Sequence, residues 1–430
     1  MEPEAAEIRD PVHGYIYTDQ LERDLIDTSI FQRLRRIRQL ASAYLTYPGA
    51  QHSRFEHGVG VMYLGGKAGN RLKSKGLIDE NAVREIRVAS LLHDVGHGPF
   101  SHLFEEVLAE KRDITHEDIT KKIILETDIR DILNSHGIDV TKFASLPLGV
   151  SNRHPRMMND VLAGFLSVDT MDYLLRDSYF TGVEYGKVDV HRIINSYDVV
   201  RDRLSIDKAG LYALEALIIA RYEMFRAVYF HRTVRAAAIM LIKAMTFADD
   251  ELAFSDIDDL DHFLGLTDEA TLDSIINMKP SREDAKFAKS LALDYRDRKM
   301  LKLVFEKVVQ RKDKFIQKIF SQRKFRQNFA EEISSKSGVD SRYIFVDVPN
   351  TPSVPMTSSK ESLSEIILVS QDPEGRRIET LSAGDLPIAS AILGYMDILR
   401  VYTFDMYREK VEKAVNSIFA KEGFIENVPV

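Results

Sequence analysis

The sequence contains no cysteine, so disulfide bonds, zinc–thiolate sites and cysteine nucleophiles are excluded. Any bound metal ion would therefore need histidine and carboxylate ligands. The most apolar stretches, 211–220 and 236–245, include Glu215 and Lys243 and are too short to span a bilayer. The first ten residues, MEPEAAEIRD, are acidic and have no apolar segment, which is not typical of a secretory signal. We therefore expect a cytoplasmic protein that has no membrane partner.

The sequence also has fewer basic than acidic residues: it contains 58 Lys and Arg but 66 Asp and Glu, which gives a formal net charge of −8. This balance argues against a general polyanion binder, although a local basic patch can still attract phosphate. A basic run between Arg296 and Arg326 keeps a nucleic-acid-binding protein open as an alternative, since such a helix face can follow a phosphate backbone. A solvated charged face is the commoner explanation of such a run.

Helical periodicity dominates the chain. Helices are predicted at 53–76, 80–95, 101–111, 115–126, 159–176, 210–247 and 403–421, with shorter ones over 256–335. Asp27 and Thr28 are predicted to begin a further helix that runs to about Leu40. Strands are predicted around 8–18, in a hairpin at 197–208 and at 365–371, and the proline-rich stretch 343–356 favours a linker. The expected fold is mainly α, with a body at 1–335 and a small α+β C-terminal appendage at 336–430.

The segment 91–104, LLHDVGHGPFSHLF, holds the densest group of potential ligands in the chain. His93 and His97 are four residues apart and share one helix face. The adjacent His93 and Asp94 point about 100° apart, so both can reach one ion only near a helix end. Two glycines and a proline follow and supply that end, since they break a helix. His93 and Asp94 are therefore candidate metal ligands.

A catalytic divalent site needs several nitrogen or oxygen ligands and an open position for water. His57 in RFEHGVGV and Asp169 in SVDTMDYLLRD are the candidates for the remaining ligands. An isolated histidine is more often a solvated or core residue than a ligand. Five of the twelve histidines (57, 93, 97, 102 and 116) fall within 60 residues, however, which favours a functional cluster.

The order His57, His93-Asp94, Asp169 matches the H…HD…D signature of the HD phosphohydrolases. The chain resembles this family, in particular its deoxynucleoside triphosphate triphosphohydrolase branch, which includes the vertebrate enzyme with a sterile-alpha-motif domain. The resemblance is carried by DPVHGYI, IDTSIFQRLRRIRQL, YPGAQHSRFEHGVGV, LLHDVGHGPFSHLFE, VDTMDYLLRD and RYEMFRAVYFHR, over about 10–235. It implies an HD-domain helical bundle with a metal-binding core at about 50–180.

The resemblance also implies an activity, namely metal-dependent hydrolysis of a deoxynucleoside triphosphate to a deoxynucleoside and tripolyphosphate. The implied metal ligands are His57, His93, Asp94 and Asp169. Zinc, iron, manganese, nickel and magnesium are all open, and magnesium can also accompany the nucleotide. His97 and His116 match catalytic histidines, with His116 as the general acid, and Glu105 stands where the family usually has aspartate. The implied substrate-binding residues are Gln39, Arg54, His102, Tyr173, Asp177, Arg221 and Tyr229.

The resemblance further implies a guanine nucleotide activator bound between the subunits of a homodimer or homotetramer. The matching residues are Asp27, Gln32, Arg35, Arg192, His231, Arg232 and Arg298. Three positions depart from the family pattern: Ala6 replaces a lysine of the activator site, Thr170 a lysine near the phosphates, and Phe225 a base-contacting histidine. Lys187 is a candidate replacement for the missing phosphate contact. An HD phosphohydrolase acting on a nucleoside monophosphate or a cyclic nucleotide is therefore the main alternative.

Overall fold

The computed structural model describes residues 6–164, 166–310, 323–348, 366–372, 375–381, 385–386 and 395–421. Most of the predicted linker at 343–356 and the middle of the basic run, 311–322, lie outside these ranges. Within the described residues, no helix is long and apolar enough to cross a membrane.

Helices form most of the described chain. They are α1 Gln20–Ile26, α2 Ser29–Arg33, α3 Arg54–Ser74, α4 Glu80–Leu92, α5 His102–Lys111, α6 His116–Glu126, α7 Asp128–Ser135, α8 Val140–Phe143, α9 Arg156–Ala163, α10 Val168–Thr181, α11 Val190–Asn195, α12 Leu211–Met224, α13 Arg232–Leu252, α14 Leu260–Gly265, α15 Asp268–Asn277, α16 Glu283–Arg296, α17 Arg323–Ser337 and α18 Arg408–Lys421. Short 3₁₀ turns lie at Leu34–Arg36, Ala43–Leu45, Lys208–Gly210, Ser341–Tyr343 and Asp405–Tyr407, and a π-helical turn at Phe225–Tyr229.

The strands form three small sheets. They are β1 Ala6–Asp10, β2 Gly14–Thr18, β3 Tyr197–Val200, β4 Arg203–Asp207, β5 Lys302–Gln310, β6 Ile344–Asp347, β7 Ile366–Asp372, β8 Gly375–Leu381 and β9 Tyr395–Thr403. The hairpin β1-β2 stands alone, and the other sheets have the orders β3-β4-β7-β8 and β5-β9-β6. Only β4 and β7 pair in parallel among these strands. The predicted fold class, mainly α with a small α+β C-terminal part, is confirmed.

Local side-chain signals explain why the helices around the site begin where they do. The Ser53 hydroxyl accepts a hydrogen bond from the backbone N–H of Phe55 in the first turn of α3. The Glu56 carboxylate accepts one from the backbone N–H of Ser53 at 2.8 Å, and the two residues form a capping box. Thr115 and Asp118 form the same motif at α6, and Asp79 caps α4. Each cap satisfies backbone N–H groups that have no partner within the helix.

Two predicted helices end earlier or are divided. The helix predicted from Asp27 to about Leu40 ends at Arg33 and a 3₁₀ turn, because Ile37 is extended and Arg38 bridges to Ser53. Asp27 itself is the C-cap of α1, and Thr28 caps α2. The helix predicted at 159–176 is two helices, α9 and α10, since the chain is extended at the C-cap of α9 and a serine begins α10 anew.

Two further predictions were wrong in the second half. The single helix predicted at 210–247 is divided into α12, a π-helical turn and α13. His231 is the N-cap of α13, and its ring accepts a hydrogen bond from the backbone N–H of Thr233. Short helices were predicted throughout 256–335, but 302–310 is the strand β5. Its alternating side chains suit the sheet in which it pairs antiparallel with β9. β5, before residue 335, is thus hydrogen-bonded to β9, after it. The domain boundary at residue 335 remains a prediction.

The main apolar core runs between α3, α4, α10 and α13 and includes the fully buried Met62, Leu91, Met171 and Met240. Glycine on α3 allows α4 to pack closely, because a Cβ on Gly65 would lie 2.3 Å from a side-chain oxygen on α4. A second core lies where α17 and α18 cover the sheet β5-β9-β6. The main core fixes α3, α4 and α10 relative to one another, and these three helices carry the candidate site.

Candidate metal centre

Four side chains from α3, α4 and α10 meet at one point. His93 and Asp94 directly follow the last residue of α4, while His57 lies on α3 and Asp169 in the first turn of α10. Nε2 of His57 is 3.1 Å from an oxygen of Asp169 and 3.6 Å from one of Asp94. Nε2 of His93 is 3.3 Å from Asp94 and 3.7 Å from Asp169. His57, His93 and Asp94 thus form a group that could hold one metal ion. Asp169, the fourth predicted ligand, lies beside them at the two distances given above.

The hydrogen bonds behind the two histidines orient their rings toward this point. Nδ1 of His57 lies 2.8 Å from Asp172, and Nδ1 of His93 lies 2.8 Å from the Ser90 carbonyl oxygen. Each Nδ1 therefore donates its proton, so Nε2 is the ring nitrogen that faces the centre and can bind either a proton or a metal ion. Both Nε2 atoms are buried and have no hydrogen-bond partner among the described residues. Two such nitrogens beside two carboxylates fit a divalent or transition metal ion.

The charges around His57 favour a cation at this point. Burial lowers the pKa of His57, but the carboxylates of Asp169 and Asp172, which face its two ring nitrogens, outweigh burial and raise the pKa to about 10. A proton and a metal ion therefore compete for the same nitrogen, and binding of the metal must release the proton.

A buried charged network supports the centre from behind. Oδ1 of Asp172 is 2.6 Å from Nε2 of His13, and Arg176 donates to both oxygens of Asp172 at 2.9 Å. Arg176 also donates to Asp10 at 2.7 Å, so the hairpin β1-β2 is tied to α10. Gly60 makes room for this network, because a Cβ there would lie 2.0 Å from Oδ1 of Asp172.

His97, His116 and Glu105 form a second group beside the metal centre. The rings of the two histidines are stacked, with centroids 4.0 Å apart and an interplanar angle of 15°. Nδ1 of His116 contacts a carboxylate oxygen of Glu105, and Nε2 of His97 is 3.3 Å from Asp94. The glutamate that replaces the expected aspartate thus still reaches His116.

The pKa values of the two stacked histidines are shifted in opposite directions. Burial, the Arg54 guanidinium and His116 lower the pKa of His97 well below its usual value. Burial also lowers the pKa of His116, but the hydrogen bond with Glu105 outweighs it and raises the pKa above its usual value. His116 is therefore the member of the pair that binds a proton more readily.

Gly96 brings His116 into this position. A Cβ on Gly96 would lie 2.3 Å from the carbonyl oxygen of His116, so only glycine allows α6 to approach this closely. The backbone N–H of Gly96 donates to the Thr120 hydroxyl at 3.1 Å, and that hydroxyl donates to the His93 carbonyl at 3.3 Å. The start of α6 is thus fixed against the turn that holds His93.

Arg54 and His102, both predicted to bind phosphate, flank the two groups. Arg54 is buried at the start of α3, where its guanidinium contacts Asp94 and donates to Ser101 Oγ at 2.7 Å. Its Nη2 is buried and lacks a hydrogen-bond partner within the described ranges. His102 begins α5, lies 3.4 Å from Glu105 and exposes 68% of its side chain.

Side chains from one face of α10 lead away from the metal centre. Asp169, Tyr173 and Asp177 are spaced four residues apart and so lie on one side of the helix. The Tyr173 hydroxyl contacts Arg221, and the Tyr229 hydroxyl donates to Asp177 at 2.6 Å. The predicted substrate-binding residues on α10, α12 and the π-helical turn are thus brought together beside the metal centre.

Gln39 reaches the same region through His52. The backbone N–H of Gln39 donates to the His52 carbonyl at 3.0 Å, and the His52 ring lies 2.8 Å from Asp177. The side-chain oxygen of Gln39 is buried without a hydrogen-bond partner in the described part of the chain. His52 was not predicted, although it lies in the motif AQHSRFEHGVG beside Arg54.

The departures from the family pattern have a structural outcome. The Thr170 hydroxyl accepts a hydrogen bond from Ser167 at 3.0 Å and is buried at the start of α10. Lys187, the suggested replacement for a lysine at position 170, is 69% exposed and pairs with Glu184. Phe225 is buried, with the Arg221 guanidinium 5.0 Å from its ring centroid. Lys187 is thus held in a surface ion pair.

The residues predicted for the activator site lie on several surface elements. Gln32 donates to the Ile26 carbonyl at 2.9 Å and accepts from Arg35 at 2.8 Å, close to the exposed Asp27. Arg298 donates to the Leu45 carbonyl oxygen at 3.2 Å. The remaining members, Arg192, His231 and Arg232, lie on α11, before α13 and at the first residue of α13. A site between subunits needs a second chain, so the activator site remains a prediction.

The sequence reasoning missed the residues that support the ligands: His13, Asp172, Arg176 and Gly60. Asp172 had a weak signal, since it lies one helical turn after Asp169 in VDTMDYLLRD. The partnership of His13 with Asp172 spans 159 residues, and no local pattern reveals it.

Comparisons with known proteins agree with this geometry. The HD domain family profile matches residues 54–174, the range that holds all four candidate ligands. The profile of the HD associated region matches residues 188–423. A crystal structure of a hypothetical protein from Aquifex aeolicus is similar over 96% of this chain and 100% of its own, with a TM-score of 0.75 and 30% sequence identity.

Curated relatives match more partially. The uncharacterized protein YwfO of Bacillus subtilis is 38% identical over 55% of this chain and 54% of its own length. The deoxynucleoside triphosphate triphosphohydrolase SAMHD1 homolog of Dictyostelium discoideum is 32% identical over 70% of this chain and 60% of its own. The chain thus spans about half to three-fifths of the length of these relatives. The two family profiles, together with the structural likeness, show that the chain belongs to the HD-domain family and carries the HD-associated region.

Proposed function

We propose that the protein is a metal-dependent phosphohydrolase that converts deoxynucleoside triphosphates to deoxynucleosides and tripolyphosphate. One observation carries the proposal: the partnerless Nε2 atoms of His57 and His93 face the carboxylates of Asp94 and Asp169 at 3.1 to 3.7 Å. The name of the Dictyostelium discoideum relative supports the choice of substrate.

The four side chains would hold a single divalent or transition metal ion. Such an ion supplies Lewis acidity toward a phosphate oxygen and toward the attacking water. Asp169 keeps 36% of its side chain exposed, so the centre opens to solvent on the side of α10. A nucleotide can therefore reach the ligands from that side.

His116 and Arg54 are placed to assist phosphoryl transfer. His116, whose pKa is raised by Glu105, is suited to donate a proton to the departing 5′-oxygen of the nucleoside, and Glu105 holds its ring for that transfer. The free Nη2 of Arg54 offers a charged donor to phosphate oxygens, in addition to the groups that orient it. His102 offers a second, exposed donor next to them.

The residues along α10 supply sugar recognition in this proposal. The Asp177 carboxylate and the Gln39 side-chain oxygen are acceptors for the 3′-hydroxyl. Tyr229, hydrogen-bonded to Asp177, would pack against the 2′ carbon and exclude a ribose hydroxyl. The half-buried Tyr229 ring cannot move aside without losing its hydrogen bond with Asp177, which favours deoxyribose.

A second candidate is hydrolysis of a nucleotide with fewer phosphates, such as a nucleoside monophosphate or a cyclic nucleotide. The buried Thr170 favours it, because a threonine hydroxyl provides no positive charge for a triphosphate chain. Lys187 is already paired with Glu184 at the surface.

A nucleotide panel tests the proposal. The purified protein is incubated with Mn²⁺ and each nucleotide, with and without GTP or dGTP as activator, and the products are separated. We expect tripolyphosphate from deoxynucleotides, and no product from the Asp94→Ala variant. Release of monophosphate or pyrophosphate instead would support the second candidate, and no phosphate product from any nucleotide would contradict both.

The same panel addresses regulation. Activation by GTP or dGTP, and its loss on substitution of Arg35, would support a guanine nucleotide site. A homodimer or homotetramer is the assembly expected for such a site and can be measured by light scattering. Basic residues at 311–322 lie outside the described residues, so the nucleic-acid alternative rests on the sequence alone.

A further inference from the structure

The loop between His97 and His102 holds an unusual backbone conformation beside the catalytic groups. Phe100 and Ser101 both have φ of +58°, a left-handed conformation that side chains with a Cβ rarely adopt. Such strain persists only where the surroundings hold it, and it is concentrated at functional sites. Something in the fold must therefore hold this loop.

The segment Leu266–Asp268, which lies between α14 and the first residue of α15, holds the loop at both ends. Oδ1 of Asp268 accepts from the backbone N–H of Phe100 at 2.6 Å. At the other end, Arg33 donates to the His97 carbonyl at 2.9 Å and to the Leu266 carbonyl at 3.1 Å. Arg33 and Asp268 are both buried, with 1% of their surfaces exposed. The loop is thus fastened to the HD-associated region by two buried charged groups.

The second oxygen of Asp268 holds another part of the site. Oδ2 accepts from the backbone N–H of Arg38 at 3.0 Å, next to Gln39. The Arg38 carbonyl in turn accepts from the Ser101 hydroxyl at 2.7 Å, and that hydroxyl accepts from Arg54. One carboxylate therefore fixes the loop beside Arg54 and the segment that carries Gln39.

We propose that Asp268 is a positioning residue that sets the distance between the phosphate-binding side of the site, at Arg54 and His97, and the sugar-binding side, at Gln39. This proposal rests on the proposed function for its kinetic consequence, while its structural core concerns the loop alone. Asparagine cannot replace the carboxylate, because its amide would present a donor to one of the two backbone N–H groups. Asp268→Asn should therefore release one of the two segments.

Hydrogen–deuterium exchange of the whole chain tests the structural core. In the Asp268→Asn variant we expect at least about tenfold faster exchange at the amides of Phe100 or Arg38, since one of their acceptors is lost. The control is Glu269→Gln, which removes the negative charge that pairs with the Arg38 side chain at 2.8 Å but no backbone contact. Unchanged protection at both amides of a folded Asp268→Asn variant would overturn the proposal.

A second measurement needs no substitution. The charged or titratable groups that act on Asp268 are Arg38, Glu269, Arg33 and Tyr295. Burial raises the pKa of Asp268 to about 6, so the carboxylate is protonated in the folded protein near pH 5. Corrected for intrinsic rates, protection at Phe100 or Arg38 should fall between pH 7 and pH 5. Equal protection at both values would count against the positioning role.

Kinetics separates this proposal from the proposed function. If deoxynucleotides are substrates, Asp268→Asn should lower kcat/KM by about tenfold to a hundredfold, because misplaced groups lose orientation. We also expect KM to rise, since Gln39 and Arg54 contact the substrate, whereas Glu269→Gln should leave both constants unchanged. A wild-type protein that hydrolyses no nucleotide would refute the proposed function, while the exchange result would still decide the role of Asp268.

Discussion

At the scale of single residues, the candidate centre depends on groups that never touch the metal position. His57 presents Nε2 to the centre because Asp172 holds Nδ1, and Asp172 is held in turn by His13 and Arg176. A ligand whose ring is fixed in advance loses less freedom when the ion binds. We therefore expect the affinity for metal to depend partly on Asp172.

Asp172→Asn tests this dependence. Asparagine keeps the size of the side chain but removes the charge that orients His57, so we expect metal affinity to fall by about 10- to 100-fold. Isothermal titration of the metal-free protein with Mn²⁺ or Zn²⁺ measures the change. The matched control is Asp198→Asn, a carboxylate on β3 that pairs with Lys75 at 2.7 Å. Equal affinities in the two variants would refute the supporting role of Asp172.

A second prediction at the scale of single residues concerns the effect of Asp268 on the free energy of unfolding. Burial raises its pKa to about 6, whereas the group in an unfolded chain has an ordinary pKa near 4. A raised folded-state pKa adds stability below the unfolded value, and this contribution is lost as pH rises through the folded value. Ionised Asp268 therefore costs about 3 kcal/mol of stability at neutral pH, taken from the pKa difference.

Asp268→Asn removes this titration. The difference in unfolding free energy between the variant and the wild type should shift in favour of the variant by about 2 kcal/mol from pH 4 to pH 7, because the unfolded group is already half ionised at pH 4. Urea unfolding of both proteins across this range measures the shift, since all other groups titrate in both. A pH-independent difference would show that Asp268 ionises normally.

At the scale of elements, glycine on α3 decides how closely α10 can pack against it. A Cβ at Gly60 would lie 2.0 Å from Asp172 and 2.2 Å from Arg176, both of which are fixed by buried hydrogen bonds. These side chains cannot move aside as a flexible surface group would.

Gly60→Ala should therefore destabilise the protein by about 1 to 3 kcal/mol and reduce metal affinity, because it displaces the network behind His57. Gly265→Ala is the matched control, since a Cβ there meets nothing within 4 Å. The control should be neutral or slightly stabilising, as alanine restricts the unfolded chain. Thermal unfolding and metal titration compare the two, and equal behaviour would contradict the packing argument.

The elements also show how far the sequence can be interpreted. Helices with strong caps and regular apolar spacing, such as α3 with Ser53 and Glu56, were predicted close to their observed bounds. The predictions failed where a distant partner decided the local structure. Residues 302–310 form a strand because β9, almost a hundred residues later, pairs with them. Local pattern carries no information about such partners.

The same limit applies to the site. The motif around His93-Asp94, with His57 and Asp169, was sufficient to predict four side chains that meet in the structure. Their supports could not be predicted in this way, because His13 and Asp268 act on residues 159 and 168 positions distant in the chain. Short sequence motifs therefore indicate which residues are candidate metal ligands, whereas the orientation of those side chains depends on tertiary contacts.

At the scale of the whole molecule, the C-terminal region completes sheets that begin in the body. In the pairing of β5 with β9, Lys302 lies opposite Thr403 at one end and Gln310 opposite Tyr395 at the other. In the pairing of β4 with β7, Ile206 lies opposite Leu368. The core under α17 and α18 also joins both regions, since it includes Val304 and Ile333 as well as Val401 and Val415. The region beyond residue 335 therefore covers edges and apolar surface of the rest.

Truncation after Ser335 tests the predicted boundary between body and appendage. The shortened chain would expose the apolar face of β5 and leave its hydrogen-bonding edge without a partner, a state that favours aggregation. We expect lower solubility and a lower thermal midpoint than in the full chain, with metal affinity retained in the fraction that stays soluble, because all four ligands lie before residue 170. Sedimentation and thermal unfolding measure these effects. A truncated chain that stays soluble, keeps the assembly state of the full protein and melts like it would instead establish residues 1–335 as an independent folding unit.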